Sequence, residues 1–115
     1  MVREVETIHL DAKGYLQWEA QQPEKHEFYY GEIFAMVGAR QAHVLVSGNL
    51  YASLKQSLRN QPCRAYISDM KLKLLGDHAF FYPDVMVSCS TKDHQAEQFL
   101  TEPTTIIEVL SESTA

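Results

Sequence analysis

The clearest pattern of apolar and polar positions predicts an amphipathic helix over residues 40–59. Asn60 and Pro62 are residue types that end helices. A shorter helix is predicted over residues 11–22, with Asp11 as its N-cap. On the long helix, residues that would face the core recur every three or four positions: His43, Ser47, Leu50, Leu54 and Leu58. Three neighbours would widen this apolar face: Val44, Val46 and Tyr51.

Several short segments have the composition and alternation of β-strands. Residues 26–38 predict a hairpin that turns at Tyr30-Gly31, because two apolar runs flank a glycine that tolerates positive φ. Apolar and polar residues alternate over positions 63–75, which predicts one strand or two, and residues 79–89 are predicted to form another strand. The apolar, β-branched segment 104–111 is typical of a central strand. The predicted fold class is therefore mixed α/β.

Length and composition indicate one modest globular domain. The 115 residues contain ten basic and fifteen acidic side chains, for a net charge of −5. No apolar run is long enough to cross a membrane, and the start of the chain has no apolar segment typical of a secretory signal. Cys63 and Cys89 form neither a disulfide framework nor a C-x-x-C zinc motif. We therefore expect free thiols and a cytoplasmic location.

The acidic net charge argues against a domain that holds nucleic acid by charge alone. A nucleic-acid partner would need a local basic patch, or a metal that offsets carboxylate charge. The basic residues that could form such a patch are dispersed along the sequence and are weak evidence for a groove: Arg40, Lys55, Arg59 and Arg64.

Two carboxylates lie in apolar surroundings, where an unpaired charge is costly. Asp84 is flanked by Tyr82 and Val85, and Glu108 lies inside the segment IIEVL. On neighbouring strands the two side chains could share a hard divalent cation such as Mg²⁺. The spacing alone favours the alternatives that one or both pair with a buried arginine or face solvent on an edge strand.

The other polar candidates have ordinary explanations. His43 opens the long helix, where a satisfied core or cap histidine is more common than a ligand. Glu27, in the first hairpin strand, and Lys71 and Lys73, which alternate with apolar residues, fit solvated strand faces. No phosphate-binding glycine loop and no serine-hydrolase motif is present.

Taken together, three segments resemble the Uma-two family, which is common in cyanobacteria and belongs to the PD-(D/E)XK restriction endonuclease-like superfamily. They are KHEFYYGEIFAMVGARQAHVLVSGNL, YPDVMVSC and FLTEPTTIIEVLSEST, in the order and at the spacing of the family. The resemblance implies a restriction endonuclease-like core, a mixed β-sheet flanked by helices, with an N-terminal helix and β-hairpin. Residues 1–115 would form a single domain that lacks the closing helix and last strands of the family.

The resemblance also implies a metal-dependent nuclease site. Asp84, Glu108 and the backbone carbonyl of Val109 would bind Mg²⁺ or Mn²⁺. Glu27 matches the first acidic position of the family, and His43 matches its helix histidine. Such a site supports metal-assisted hydrolysis of phosphodiester bonds, with DNA as the expected partner.

The sequence departs from the superfamily at one important position. Leu110 stands two residues after the second acid, where the superfamily has a lysine. Relatives place a lysine further along, in a segment that we expect this chain to lack, although Lys71 or Lys73 could substitute. Impaired cleavage is therefore expected. The alternative is a non-catalytic nuclease-fold domain that serves dimerisation or partner binding, with a homodimer formed through an open strand at 104–111. An interaction module unrelated to nucleases is the third interpretation.

Overall fold

The computed structural model describes residues 2–36 and 38–110, with side chains from residue 9 onward, and divides the chain into two compact units. Residues up to Gly38 and residues 73–81 form the first unit, and residues 39–72 and those from Tyr82 form the second. In chain order the elements are β1 (Val2–His9), α1 (Ala12–Glu19), β2 (His26–Tyr29), β3 (Glu32–Met36), α2 (Gln41–Ser57), β4 (Arg64–Ile67), β5 (Lys71–Leu74), β6 (Ala79–Phe81), β7 (Val85–Ser88), α3 (Thr91–Gln95), β8 (Phe99–Leu100) and β9 (Thr105–Ile107).

The first unit is an antiparallel sheet with α1 as its helix. Its strand order is β1-β3-β2-β6-β5, and β5 contributes its last two residues. The N-cap predicted for α1 is confirmed, because the Asp11 carboxylate accepts a hydrogen bond from Gly14 N at 2.7 Å. A Cβ at Gly14 would lie 2.9 Å from that carboxylate, which explains a glycine inside the first turn. Stacked rings of Tyr15, Phe28 and Phe80 form the core.

The predicted hairpin is confirmed as β2 and β3. Both residues of its turn have positive φ, +46° at Tyr30 and +88° at Gly31, as the two-residue turn that matches strand twist requires. Strand β1, which pairs with β3, was not predicted, because the charged start of the chain has no alternation of apolar and polar residues.

The second unit contains the long helix and a three-stranded antiparallel sheet of order β4-β7-β9. Helix α2 packs on β4 and β7. Most of the predicted packing face of α2 is confirmed, since six of its residues are half-buried: His43, Ser47, Leu50, Tyr51, Leu54 and Leu58. The prediction that Val44 and Val46 widen this face was wrong, because both are exposed. All four residues of β7 are buried, and Met86 packs with Leu72 and Leu100 of the parallel β5–β8 pair.

Two strand predictions were wrong in detail. Residues 79–89 form two strands, β6 and β7, which belong to different units and are separated by Tyr82–Asp84. Residues 104–111 were expected to form a central strand, but β9 lies at an edge of the three-stranded sheet and Ile106 is 47% exposed. Hydrophobic composition does not distinguish a central strand from an edge strand, or one strand from two, because these depend on pairing between distant segments.

The expectation of free thiols was also wrong. Cys63 and Cys89 form a disulfide in the structure. The antiparallel register of β4 and β7 pairs Arg64 with Ser88, so the residues just outside that pair lie side by side. The cytoplasmic location, which rested on free thiols, stays a prediction. No helix in the described ranges 2–36 and 38–110 is long and apolar enough to span a bilayer.

A buried carboxylate, Asp93, ties together the segments between β7 and β9. One of its oxygens accepts hydrogen bonds from Ser88 Oγ at 2.7 Å and Glu102 N at 3.0 Å, and the other from Thr101 N at 2.9 Å. Burial alone would raise the pKa of Asp93, but the hydrogen bonds from Thr101, Ser88 and Glu102 together outweigh it and lower the pKa below the usual value.

We predict that Asp93→Asn lowers the free energy of unfolding by about 2–3 kcal/mol near neutral pH, because several donors lose a charged acceptor. Since folding lowers the pKa of Asp93, this stability is complete above the unfolded-state pKa and disappears as the pH falls through the lower folded-state value. Urea unfolding of both proteins between pH 7 and strongly acidic pH measures this, and the two curves should converge in acid.

Asp77→Asn is the matched control. Asp77 is an exposed aspartate whose pKa is lowered by its hydrogen bond and ion pair with Lys73, and because solvent screens such surface pairs, Asp77→Asn should change the free energy of unfolding much less than Asp93→Asn. Equal effects of the two substitutions, or a difference between wild type and Asp93→Asn that does not change with pH, would contradict the role assigned to Asp93.

Candidate functional site

Asp84 lies where the chain enters β7 and makes the central contacts of the candidate site. One oxygen of its carboxylate, Oδ2, lies 3.2 Å from Nε2 of His43 and accepts a hydrogen bond from the backbone N–H of Val109 at 2.7 Å. The side chain of Asp84 is 16% exposed, so the carboxylate is partly shielded but still reaches solvent. The structure thus brings together three of the predicted site residues.

His43 reaches Asp84 because of its position on α2. It lies in the first turn of the helix, on the half-buried face that packs towards β4 and β7. Its side chain is nearly as shielded as that of Asp84. His43 therefore has a partner within the candidate site, and its role as the helix histidine of the family stays a prediction.

Glu108 joins the same group from the end of β9. The register between β7 and β9 pairs Val85 with Ile107, so the next residue, Glu108, lies opposite Asp84, which directly precedes β7. Its Oε1 accepts a hydrogen bond from Asp84 N at 3.3 Å. Glu108 is exposed, contrary to the burial expected inside an apolar strand, because β9 ends at Ile107 on the edge of its sheet.

Val109 contributes differently from the expectation. The resemblance assigned its backbone carbonyl to the metal, whereas the contact in the structure is its N–H group, which donates to Asp84. This bond holds the segment after β9 against the start of β7. The predicted use of the Val109 carbonyl stays a prediction.

Glu27 and the two lysines occupy other positions. Glu27 lies on β2 of the first unit, half-buried and paired in register with Phe34, so its role also stays a prediction. Lys73 forms an ion pair with Asp77 at 2.7 Å in the turn after β5. Lys71 lies with its ammonium group 5.5 Å from the ring centre of Tyr82, two residues before Asp84.

The oxygen ligands that the protein offers at this site are of the type that a hard divalent cation prefers, but they are few. Asp84 and Glu108 offer carboxylate oxygens, and Mg²⁺ is commonly held by one or two carboxylates together with water and substrate phosphate. Within residues 2–36 and 38–110, no three or more His, Cys, Asp or Glu side chains are grouped so as to hold a metal. A metal here would therefore depend on water and phosphate for its remaining ligands.

Sequence reasoning missed the residues that position this site. Asp93 and Ser88 were not singled out, although Asp93 connects β7 to the segment that leads into β9. The available signal was the S-x-x-D pattern from Ser90 to Asp93, which indicates the start of a helix. Ser90 does cap α3, but nothing local indicates that the Asp93 carboxylate contacts β7 and the segment after β8.

Comparison with known families agrees with the resemblance seen in the sequence. The model of the Uma2 family, described as "Putative restriction endonuclease", matches residues 12–115. Two uncharacterized proteins of Synechocystis are similar: slr1290 is 38% identical over 105 residues, and sll1609 is 37% identical over 108 residues. These alignments cover 91% and 92% of this chain but only 55% and 61% of the two relatives, so the chain spans little more than half their length.

A solved structure supports the fold. The crystal structure of a "putative nuclease belonging to DUF820" from Anabaena variabilis superposes with a TM-score of 0.73 at 19% sequence identity. The superposition covers 92% of this chain and 61% of that protein. The predicted restriction endonuclease-like, mixed α/β fold is confirmed.

Proposed function

The chain belongs to the Uma2 family, and we propose that it carries the acidic residues of a Mg²⁺-dependent nuclease site that acts on the phosphodiester bonds of DNA. The observation that carries this proposal is the meeting of Asp84, Glu108 and His43, which lie far apart in sequence and converge at one end of β7. The family description and the nuclease-like fold support the same reaction class.

Each residue has a distinct part in this proposal. Asp84 and Glu108 would hold Mg²⁺ or Mn²⁺. Glu27, which matches the first acidic position of the family, stays a candidate catalytic residue. The bound ion would polarise a phosphoryl oxygen and make a coordinated water more acidic. The N–H of Val109 fixes the Asp84 carboxylate. The imidazole of His43, held against Asp84, is placed to exchange a proton with water close to the acids.

We predict that the chain binds Mn²⁺ or Mg²⁺ through its two acids. Calorimetric titration should give one site in the wild type, no measurable binding in Asp84→Asn and weaker binding in Glu108→Gln, because each change removes a charged oxygen ligand. Glu97→Gln, which removes an exposed glutamate from another loop, should bind like the wild type. Binding that is unchanged in Asp84→Asn would exclude this metal site.

We predict slow DNA cleavage by the wild-type chain and faster cleavage by Leu110→Lys. Leu110 is 70% exposed and stands where the superfamily has its lysine, so the substitution adds a cation near the acids at little cost in packing. Groups that position or activate water contribute about 10²–10⁴-fold in rate. Conversion of supercoiled DNA in Mg²⁺ is a suitable assay.

Two variants make this test specific. Leu110→Gln, equally polar but neutral, should cleave no faster than the wild type, and adding Asp84→Asn to Leu110→Lys should remove the gain. The proposal fails if Leu110→Lys and Leu110→Gln behave alike, or if wild-type cleavage is rapid and persists in Asp84→Asn.

A second candidate function, assembly through a dimer, has one specific observation in its favour. The edge strand β9 and the residues after it present exposed apolar side chains, Ile106 at 47% and Leu110 at 70% exposure. An open apolar edge can pair with the same edge of a second copy in a two-fold dimer. This would serve the non-catalytic alternative expected from the sequence.

We predict that the chain self-associates through β9 and that Ile106→Lys prevents it, because a lysine on an edge strand opposes pairing. Sedimentation velocity over a dilution series measures the association. Val44→Lys, which places the same charge at an equally exposed apolar position on α2, should leave it intact. A wild type that is monomeric at all concentrations, or a dimer abolished only by Val44→Lys, would rule out this interface.

A further inference from the structure

The charge of the chain is distributed very unevenly. Residues 33–68 contain four of its ten basic side chains and none of its fifteen acids, so this segment carries +4 while the rest of the chain carries −9. The segment includes most of β3, which belongs to the first unit, and then α2, the turn after it and β4, which belong to the second unit. All four basic residues lie in the second unit. The four basic side chains are exposed: Arg40, Lys55, Arg59 and Arg64.

An exposed strip runs along α2 and into the turn after it. Gly48, Ala52 and Lys55, at intervals of four and three, lie along one side of the helix, and Arg59 lies in the turn that begins where α2 ends at Ser57. All four are exposed, whereas the face that packs on β4 and β7 is half-buried. The ammonium group of Lys55 lies 5.8 Å from the ring centre of Tyr51, one turn earlier. We call the four residues the outer face of α2.

Gly48 gives this face a second distinctive feature. Glycine weakens the interior of a helix, yet here a Cβ would meet no atom within 4 Å among the described residues. Packing within those residues therefore does not account for a glycine in the middle of a 17-residue helix. A smooth strip formed by Gly48 and Ala52, followed by two cations, lets an extended anionic partner approach the helix closely.

The chemistry of the outer face favours duplex DNA over a single strand. Proteins that bind single strands stack bases on exposed aromatic rings, and none of these four residues is aromatic. Backbone phosphates of a duplex require only cations and a close approach. The outer face of α2 also lies within residues 33–68, which contain no acidic side chain, whereas the rest of the chain is acidic.

We infer that the outer face of α2, continued by Arg64 at the start of β4, binds the phosphate backbone of double-stranded DNA. The inference rests on the proposed function, because it names the form of its DNA substrate and where that DNA lies. Twelve residues separate His43, which contacts Asp84, from Lys55 in the last turn of α2, or about 18 Å along the helix. At about 3.4 Å per base pair this is roughly five base pairs between the candidate site and the basic end of α2.

Binding measured without metal separates this inference from the nuclease proposal. Fluorescence anisotropy in EDTA with a labelled duplex of about 20 base pairs should show Lys55→Gln/Arg59→Gln binding about tenfold or more weakly at low salt. The slope of log affinity against log salt should become shallower by about 1.8, as expected for two lost phosphate contacts. Lys13→Gln/Lys92→Gln, with the same change in net charge at exposed lysines elsewhere, should change affinity less than about twofold.

Gly48→Leu tests the same surface without changing charge. Leucine is a better helix former than glycine, so the thermal midpoint should stay the same or rise while DNA affinity falls. The inference would be overturned if both double variants lost affinity equally, or if neither lost affinity. It would also be overturned if a single strand of the same length bound more tightly, or if the wild type did not bind at low salt. If the binding results hold but Asp84-dependent cleavage is absent, the nuclease proposal fails and the DNA-binding surface stands.

Discussion

The hydrogen bonds to the buried carboxylate of Asp93 determine where β9 lies, and the candidate site depends on that placement. Asp93 connects Ser88, at the end of β7, to the backbone just after β8. Thr104 N then donates to Val87 O at 2.8 Å, and β9 continues along β7 from that point. Because the register is set at this end of the strand pair, Glu108 arrives beside Asp84 at the other end. Asp93, which lies outside the candidate site, thus connects the segments that bring the two acids together.

The acids at the site are stabilised by backbone N–H groups as well as by any cation. Two neighbouring carboxylates repel each other, but the Val109 N–H donates to Asp84 and the Asp84 N–H donates to Glu108. Each acid therefore has a partner that comes with the pairing of β7 and β9. The geometry of the two acids therefore follows from the pairing of β7 and β9.

Local regularities of the sequence predicted α1, α2 and the β2–β3 hairpin correctly, whereas interactions between distant segments were missed. The packing face of α2 and the Tyr30-Gly31 turn follow from spacing and from glycine conformation, which involve only neighbouring residues. The edge position of β9 and the disulfide depend on which strands pair and in what register. The acids Asp84 and Glu108 were found because they interrupt apolar segments, whereas the contacts of Asp93 arise between segments that sequence spacing does not connect.

Net charge alone does not describe how charge is distributed along this chain. A total of −5 is the sum of an acidic majority and one acid-free segment, so it does not exclude a local basic surface. Dispersion along the sequence does not exclude proximity in space, because Lys55 lies in the last turn of α2 and Arg59 in the turn directly after it. In the proposed nuclease, acids at the site would repel a phosphate, and a bound cation or a nearby basic surface can offset that repulsion. Helix α2 connects the two features, since His43 near its start contacts Asp84 and Lys55 lies in its last turn.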